Sequence, residues 1–287
     1  MTNKSKSFWL FLAPSLLAMI LVLLIPLLTG TYYSMTDWNG IKIERFLGLE
    51  NYLAIFKDQR FFDSIWFTTK FSVVAVILVN VIGLSLALLV TQKASKLNNF
   101  FRTVFFMPNL IGGIILGFIW QFIFLKAFAA IGEATGLEFL QGWLSTTKTG
   151  FWGLVILFIW QVSGYIMIIY ISFINNIPEE LIEAAEIDGA SPWQTFWKIK
   201  FPMLAPAFTI SLFLTLSNAF KLYDQNLALT AGGPFDSTQM VAMNIYNEAF
   251  AVRNMGYAQA KAVIFLIIIA TISVVQISIT RKREVDL

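Results

Sequence analysis

Six long apolar segments alternate with polar segments along the chain. A membrane-spanning helix needs roughly 20 mostly apolar residues to cross the hydrocarbon layer. The pattern therefore predicts an all-α integral membrane protein with six transmembrane helices, in a single polytopic membrane domain over 1–287. The predicted spans cover approximately 8–28, 71–90, 104–125, 151–174, 203–220 and 262–280.

The first apolar segment could be a secretory signal or a retained membrane span. Lys4 and Lys6 precede it, as positive charges precede the apolar core of a signal. However, the apolar run is longer than such a core, and residues 29–33 form a poor cleavage site. We therefore interpret this segment as a retained span.

The basic residues beside the spans predict the orientation, because cytoplasmic loops are enriched in Lys and Arg. If both termini are cytoplasmic, the inner segments have the higher density of basic residues. The strongest contribution comes from the cluster Arg281, Lys282 and Arg283. We therefore expect both termini to lie in the cytoplasm.

Composition narrows the possible chemistry. Hydrophobic residues make up 57% of the chain and charged residues 13%, so a lipid bilayer is its natural solvent. The chain has no cysteine and no histidine, which removes thiol chemistry and the commonest general base and metal ligand. The net charge of +3 includes no basic patch with interleaved aromatic residues. We therefore expect no cofactor in this chain and no nucleic acid partner, and an intramembrane enzyme lacks support.

The polar segment 175–202, between the fourth and fifth spans, has the pattern of two short helices. Asn176 is predicted to cap the first helix, with Pro178 in its first turn. Gly189 is predicted to end that helix, since glycine readily adopts the left-handed conformation of a helix C-terminus.

A second helix is predicted to start at once. Ser191 and Gln194 have the spacing of a capping box, in which each side chain bonds the backbone amide of the other residue. The helix is predicted to continue through Ile199 and to end at Pro202. The segment therefore forms a helix-turn-helix on the inner face.

The first of these helices has two properties that suit docking to another protein. Ala184 and Ala185 are small, so a partner's surface could approach the helix backbone closely. Glu183, Glu186 and Asp188 provide carboxylates for an Arg or Lys of that partner. The alternative is a solvated acidic loop without a partner, and the residue types alone favour neither.

The run EAAEIDGA at 183–190, with its spacing to Phe201 and Pro202, strongly resembles the EAA signature of binding-protein-dependent ABC importer permeases. Phe201 stands where that family usually has Leu, a change that keeps apolar packing in place. Further stretches resemble the maltose-type group of carbohydrate permeases. They lie at 48–52, 220–224, 229–234 and 256–260.

The resemblance implies a type I ABC importer permease fold, with a core over about 70–281 that includes 175–202 as the coupling segment. The chain would be a permease subunit in a bacterial cytoplasmic membrane. It would pair with a second homologous permease, bind two ATP-binding subunits and receive a sugar, expected to be an oligosaccharide, from an extracytoplasmic sugar-binding protein. The residues implied to couple to the ATPase are Glu183, Ala184, Ala185, Asp188, Gly189, Ile199 and Pro202.

ATP hydrolysis itself is expected in the partner, because this chain has no Gly-x-x-x-x-Gly-Lys-Ser/Thr loop to hold phosphates. An ATP-independent secondary transporter or channel would have six spans equally well. It would not explain the docking signature, and few ionisable residues lie within the spans. A permease for a non-sugar solute such as glycerol phosphate is a further alternative.

Polar residues within spans usually face a cavity or the bundle interior. Their positions in this chain therefore predict which residues line the sugar path. Ser211, Thr215 and Asn218 share one face of the fifth span, and Gln161 and Tyr165 lie four residues apart on the fourth. The resemblance implies that the fifth span lines the substrate path. The alternative is that these side chains bond their own helix or a neighbouring one, or that the partner permease holds the sugar.

Overall fold

The computed structural model describes residues 2–92 and 95–282, and helices make up most of this part of the chain. Arg283 of the basic C-terminal cluster lies outside the described residues. The helices used below are α1 (Thr2–Met19, continued through a π turn by Ile25–Tyr33), α2 (Glu50–Ile55), α3 (Gln59–Thr91), α4 (Lys96–Phe106), α5 (Gly113–Phe122, continued through a π turn by Phe128–Thr135), α6 (Thr147–Ile174), α7 (Glu179–Ile187), α8 (Pro192–Met203), α9 (Ala205–Phe220), α10 (Asp224–Leu229), α11 (Val241–Tyr246) and α12 (Met255–Arg281).

Among the described residues, α1, α3, α5, α6 and α12 are each long and apolar enough to cross a membrane. The helices α8 and α9 meet this test together, although they are bent by 64° at the break between them. Counted as one bent span, the pair brings the number to six, and the predicted all-α membrane fold is confirmed. The prediction of one domain over the whole chain stays a prediction.

The third span differs from its predicted range of 104–125. The amphipathic helix α4 ends at Phe106, and a short 3-10 turn follows at Met107–Leu110. The backbone of Gly112 is then extended, so α5 starts only at Gly113. Pro108 lacks a backbone N–H and favours such an interruption, which a count of apolar residues does not reveal.

Packing divides the chain into two compact units. The first comprises the described residues up to Phe61 together with Asn244–Ile268, and the second comprises Phe62–Met243 and the described residues from Ile269 onwards. The second unit contains a large buried apolar cluster, contributed mainly by α3 and α6. Since α6 is the most buried of the candidate spans, it is the central helix of that unit.

The first unit contains a buried charge. Lys261 is 1% exposed, and its Nζ lies 2.8 Å from a carboxylate oxygen of Asp58 and 2.8 Å from one of Glu248. Its third acceptor is Oδ1 of Asn244 at 3.1 Å. The ring of Tyr257 lies 4.8 Å from the ammonium nitrogen. Because each ammonium hydrogen has an acceptor, the charge is tolerated without water.

The same contacts affect the titration of Asp58. Burial raises the pKa of this carboxyl, but hydrogen bonds from Lys261 and from the Phe61 backbone, with the Lys261 charge, outweigh burial and hold the pKa below its usual value. The resulting stabilisation is complete above the pKa of an unfolded aspartate, about 4. It is lost as the pH falls through the lower pKa of the folded protein.

We predict that Lys261→Met lowers the free energy of unfolding by about 3 kcal/mol, because it leaves two largely buried carboxylates without their cation. The measurement is thermal unfolding of the purified protein in mild detergent. Lys42→Met is the matched control, since it removes an exposed ion pair to Glu44 and should cost under about 1 kcal/mol. Equal melting temperatures for the two variants would contradict the prediction.

Candidate functional site

The helix-turn-helix between the fourth and fifth spans is present, but its first helix begins later than predicted. Helix α7 starts at Glu179 with Pro178 as its N-cap residue, and no side chain caps it. The predicted cap at Asn176 is therefore wrong. A proline disfavours helical backbone in the residue before it, so Ile177 cannot join the helix. Glu179 and Glu180 instead place negative charge near the positive end of the helix dipole.

The predicted end of this helix at Gly189 is confirmed. Gly189 has a φ of +75°, a conformation that favours glycine. The backbone N–H of Ala190 donates to the carbonyl of Ala185 at 2.9 Å, and that of Gly189 donates to the carbonyl of Glu186 at 3.0 Å. These two bonds satisfy carbonyls that would otherwise be unpaired at the helix end, and they fix a tight turn.

The capping box of the second helix is also confirmed. The N–H of Ser191 donates to the side chain of Gln194 at 2.8 Å, and the N–H of Gln194 donates to Oγ of Ser191 at 3.3 Å. A π turn precedes Pro202, and the helix ends at Met203, one residue later than predicted. The bend lies at Leu204, and Pro206 lies in the first turn of α9. Ile199 and Pro202 are half-buried within α8.

The turn presents most of the predicted coupling residues to the outside of the chain. The exposed ones are Glu183, Ala184, Asp188 and Gly189, and the neighbouring Glu186 is exposed with them. Within the described part of the chain, the three carboxylates among them have no ion-pair partner. Ala185 differs from the prediction because it is buried in the chain itself. Its side chain is therefore not part of the exposed surface.

Sequence analysis missed two apolar members of this surface. Ile187 is 86% exposed and Trp193 is 70% exposed, on either side of the Gly189 turn. Ile187 lies four residues after Glu183, on the polar face of α7, and this mismatch in the pattern could have identified it. The surface therefore combines free carboxylates with apolar anchors, which is typical of a protein-docking site.

A series of aromatic contacts connects this surface to the interior of the second unit. The ring centroids are 5.5 Å apart for Trp193 and Trp197, and 4.8 Å apart for Trp197 and Phe201. The series continues from Phe201 to Phe208 at 5.1 Å and from Phe208 to Tyr170 at 5.2 Å. It therefore joins α8 to α9 and α6 across the bend.

The series ends at a buried polar junction between three helices. The hydroxyl of Tyr170 on α6 donates to Oδ1 of Asn80 on α3 at 2.9 Å. The Nδ2 of Asn80 lies 3.4 Å from Oγ1 of Thr215 on α9. Polar bonds between helices in an apolar interior fix their relative positions, because each partner would be costly to leave unpaired.

The structure does not bring all the predicted sugar-path residues together. Ser211 and Thr215 are fully buried, and each hydroxyl donates to a carbonyl four residues earlier in α9. Tyr165 is half-buried and packs against the apolar core. These three residues lie away from the polar cavity that Gln161 and Asn218 line.

Gln161 and Asn218 do meet, at a polar cavity of about 310 Å³. The cavity lies where several helices are interrupted: it is lined by the 3-10 turn that follows α4, by the end of α9 and by the connection to α10. Its lining residues are Asn109, Phe158, Gln161, Val162, Asn218, Lys221, Leu222, Tyr223, Asp224 and Gln225.

The two predicted residues have different surroundings in this cavity. Gln161 donates to the carbonyl of Ile111 at 3.2 Å and accepts from Gln225 at 2.8 Å, so both ends of its amide are already engaged. The Asn218 side chain is exposed and makes no hydrogen bond among the described residues. Asn218 is therefore free to bind a solute, whereas Gln161 chiefly holds the cavity wall together.

Close packing of α5 against α10 positions one wall of the cavity. A Cβ atom on Gly117 would lie 2.5 Å from Cβ of Ala228, and one on Gly113 would lie 2.8 Å from Cβ of Asp224. Both distances are shorter than any ordinary contact, so only glycine fits. Small residues four apart commonly allow such approach between membrane helices.

Comparison with known proteins identifies the relatives of this chain. Residues 80–284 match the family described as "Binding-protein-dependent transport system inner membrane component". The chain is 56% identical, over 100% of both sequences, to the "Probable starch degradation products transport system permease protein AmyD" of Thermoanaerobacterium thermosulfurigenes. It is 34% identical to the "Multiple sugar-binding transport system permease protein MsmF" of Streptococcus mutans, over 96% of each chain.

A solved structure has the same fold. It is described as "Crystal structure of bacterial alginate ABC transporter in complex with alginate pentasaccharide-bound periplasmic protein". One of its chains superposes with a TM-score of 0.85, covering 98% of this chain and 96% of that one. The two sequences are 18% identical, so this likeness establishes the fold alone.

We predict that Gly117→Ala lowers the free energy of unfolding by about 1–3 kcal/mol, because the added methyl group forces α10 away from α5. The melting temperature in mild detergent measures the effect. Adding Ala228→Gly should restore much of the loss, since it removes the opposing methyl group. Gly112→Ala is the control, because a Cβ there meets nothing within 4 Å. The prediction fails if Gly117→Ala behaves like Gly112→Ala.

Proposed function

The chain belongs to the family of binding-protein-dependent transport system inner membrane components, and we propose that it is the permease subunit through which an ATP-driven importer takes up a sugar. The observation that carries this proposal is the full-length identity of 56% to a permease named for starch degradation products. We infer that the substrate is a neutral oligosaccharide of that kind.

The proposed assembly contains a second homologous permease, two ATP-binding subunits and an extracytoplasmic sugar-binding protein. The surface around the Gly189 turn would dock on an ATP-binding subunit. Its unpaired carboxylates suit an Arg or Lys of that subunit, and Ile187 and Trp193 would be buried in the contact. The chain has no phosphate-binding loop of its own, which fits a non-enzymatic transport subunit that relies on a separate ATPase.

The proposed orientation follows from this docking. The turn at Gly189 and both termini would lie in the cytoplasm of a bacterium, and the protein would be a multi-pass component of its cytoplasmic membrane. The spans α6 and α9 lead away from this turn, so the connections before α6 and after α9 would face outward.

The cavity at Asn218 is the proposed contact site for the sugar in this subunit. Sugars are held by planar amides and by aromatic faces, and the cavity is lined by Asn109, Asn218, Tyr223 and Phe158. Lys221 and Asp224 introduce one charge of each sign, which suits an uncharged solute better than an anionic one such as glycerol phosphate.

Co-purification tests the assembly. The tagged chain is extracted from its native membrane in mild detergent, and the proteins that accompany it are identified by mass spectrometry. A second permease and an ATP-binding subunit are expected. A stable homo-oligomer that transports solute in liposomes without ATP would contradict the proposal and favour a secondary transporter.

We predict that Glu183→Lys leaves assembly in the membrane intact but reduces ATP-driven uptake at least about tenfold, because a like charge now faces the basic residue of the ATPase. Uptake of the sugar into cells or proteoliposomes is the measurement. Glu133→Lys makes the same charge change at an exposed site outside the coupling segment and should have no effect. Wild-type uptake by Glu183→Lys would exclude the coupling role.

We predict that Asn218→Ala weakens stimulation of the ATPase by the sugar-loaded binding protein several-fold without changing assembly. One good hydrogen bond to the sugar contributes about 1 kcal/mol, and its loss leaves a polar group of the bound sugar without a partner. Ser211→Ala, on the same helix face but buried away from the cavity, should leave the stimulation unchanged. If Ser211→Ala weakens the stimulation and Asn218→Ala does not, the sugar path lies nearer to Ser211 than to the cavity.

A further inference from the structure

The segment between α1 and α3 exposes large apolar side chains although it lies outside the predicted spans. Leu49, Leu53 and Phe56 are 62%, 65% and 70% exposed. They are spaced four and three residues apart along α2 and its two flanking residues, so they share one helix face. Phe46, just before this helix, is exposed as well. Several apolar side chains exposed together indicate a surface that another molecule covers.

The opposite face of α2 is fixed to the end of α1. The side-chain amide of Asn51 donates to the carbonyls of Ser34 and Thr36, both at 2.9 Å. The hydroxyl groups of Tyr52 and Ser34 lie 2.6 Å apart. Asn51 and Ser34 are buried. The apolar face of α2 is therefore held in one orientation and does not turn inward.

The end of α1 places this face at the level of the membrane surface. Tyr32 lies in the last turn of α1, which qualifies as a membrane span up to Tyr33, and its side chain is exposed. Tyrosine is enriched where spans leave the hydrocarbon layer. The ring centroids of Tyr32 and Phe46 are 6.3 Å apart. The apolar face that begins at Phe46 therefore continues from the exposed surface of a span.

Two basic residues border the apolar face. Lys57 and Arg60 are exposed and take part in no ion pair within the part of the chain that the structure describes. The carboxylate of the intervening Asp58 is held by Lys261 at 2.8 Å, and the exposed Glu50 lies at the opposite end of α2. An apolar face bordered by basic side chains is complementary to a phospholipid, which has apolar acyl chains and an anionic phosphate.

We propose that the stretch 46–60 is an interfacial membrane anchor, with Leu49, Leu53 and Phe56 among the acyl chains and Lys57 and Arg60 at phospholipid phosphates. A docked protein is a poorer occupant, because this face continues the surface of a span at bilayer level. Since hydrogen bonds tie the stretch to the end of α1, the anchor sets the depth of that span in the bilayer. The anchor is independent of the proposed function, because it requires neither the sugar nor the ATPase.

Because the chain has no cysteine, one introduced cysteine can carry an environment-sensitive fluorophore at a chosen position. The protein is studied with its partner subunits, whose own cysteines are replaced, in nanodiscs of phosphatidylcholine and phosphatidylglycerol. The matched control for Leu53→Cys is Ala54→Cys, since Ala54 is exposed on the same helix but points about 100° away around its axis. A phospholipid spin-labelled on its acyl chain near the headgroup should quench the label at 53 at least about twofold more strongly than the label at 54, because an interfacial helix buries only its apolar face, by about 5–10 Å.

Equal quenching of the two labels by this lipid overturns the anchor, as does a label at 53 that only aqueous iodide reaches. A label at 53 that neither lipid nor iodide reaches indicates a protein neighbour and overturns it too.

The double variant Lys57→Gln, Arg60→Gln tests the charges in the Leu53→Cys background. Spin-labelled phosphatidylglycerol should quench the label more strongly than spin-labelled phosphatidylcholine, because basic side chains attract anionic headgroups. The double substitution should remove this difference. Equal quenching by the two lipids before the substitution, or a difference that survives it, overturns the role of Lys57 and Arg60.

Discussion

The structure depends on one constraint: inside a bilayer, each backbone N–H and C=O group must find its partner within the protein. Uninterrupted helices meet this constraint by themselves, but an interruption exposes carbonyls that side chains must then satisfy. Gln161 donates to the carbonyl of Ile111 at the break before α5, and Gln121 donates to the carbonyl of Leu229 at the end of α10, both at 3.2 Å. The polar cavity lies where the interruption after α4 meets the interruption after α9.

The central helix α6 connects the polar cavity to the buried polar junction with Asn80. Gln161 lies at the cavity, and Tyr170, nine residues further on, lies at the junction with Asn80 and at the end of the aromatic series from Trp193. A displacement of the turn at Gly189 therefore has a continuous packed route to the helices that line the cavity. Interiors of this kind resist gradual deformation and favour movement of whole helices.

Most local features were predictable from the sequence, because their partners are close in the chain; the N-cap of α7 was an exception. The capping box at Ser191 and the glycine end of α7 depend on neighbours within five residues. The six-span pattern and the docking signature depend only on composition and spacing. The start of α5 was not predictable, since an apolar run is compatible with one helix or with two.

Features that depend on packing could not be predicted. Ser211 and Asn218 share a helix face, but only the fold determines that Ser211 is buried and that Asn218 lines the cavity. Lys261 immediately precedes the predicted sixth span, and nothing in the sequence indicates that its buried cluster joins a residue as distant as Asp58. The glycines and proline at 232–234 indicate a turn, yet only the structure shows that the next residue, Phe235, is exposed.

The most direct test of the account is sugar uptake by the reconstituted importer. Liposomes would contain this chain with its second permease and ATP-binding subunits, and labelled malto-oligosaccharide would be supplied with the binding protein outside. The account predicts accumulation that requires both internal ATP and the binding protein. Uptake that proceeds equally well without ATP, or without the binding protein, would contradict it.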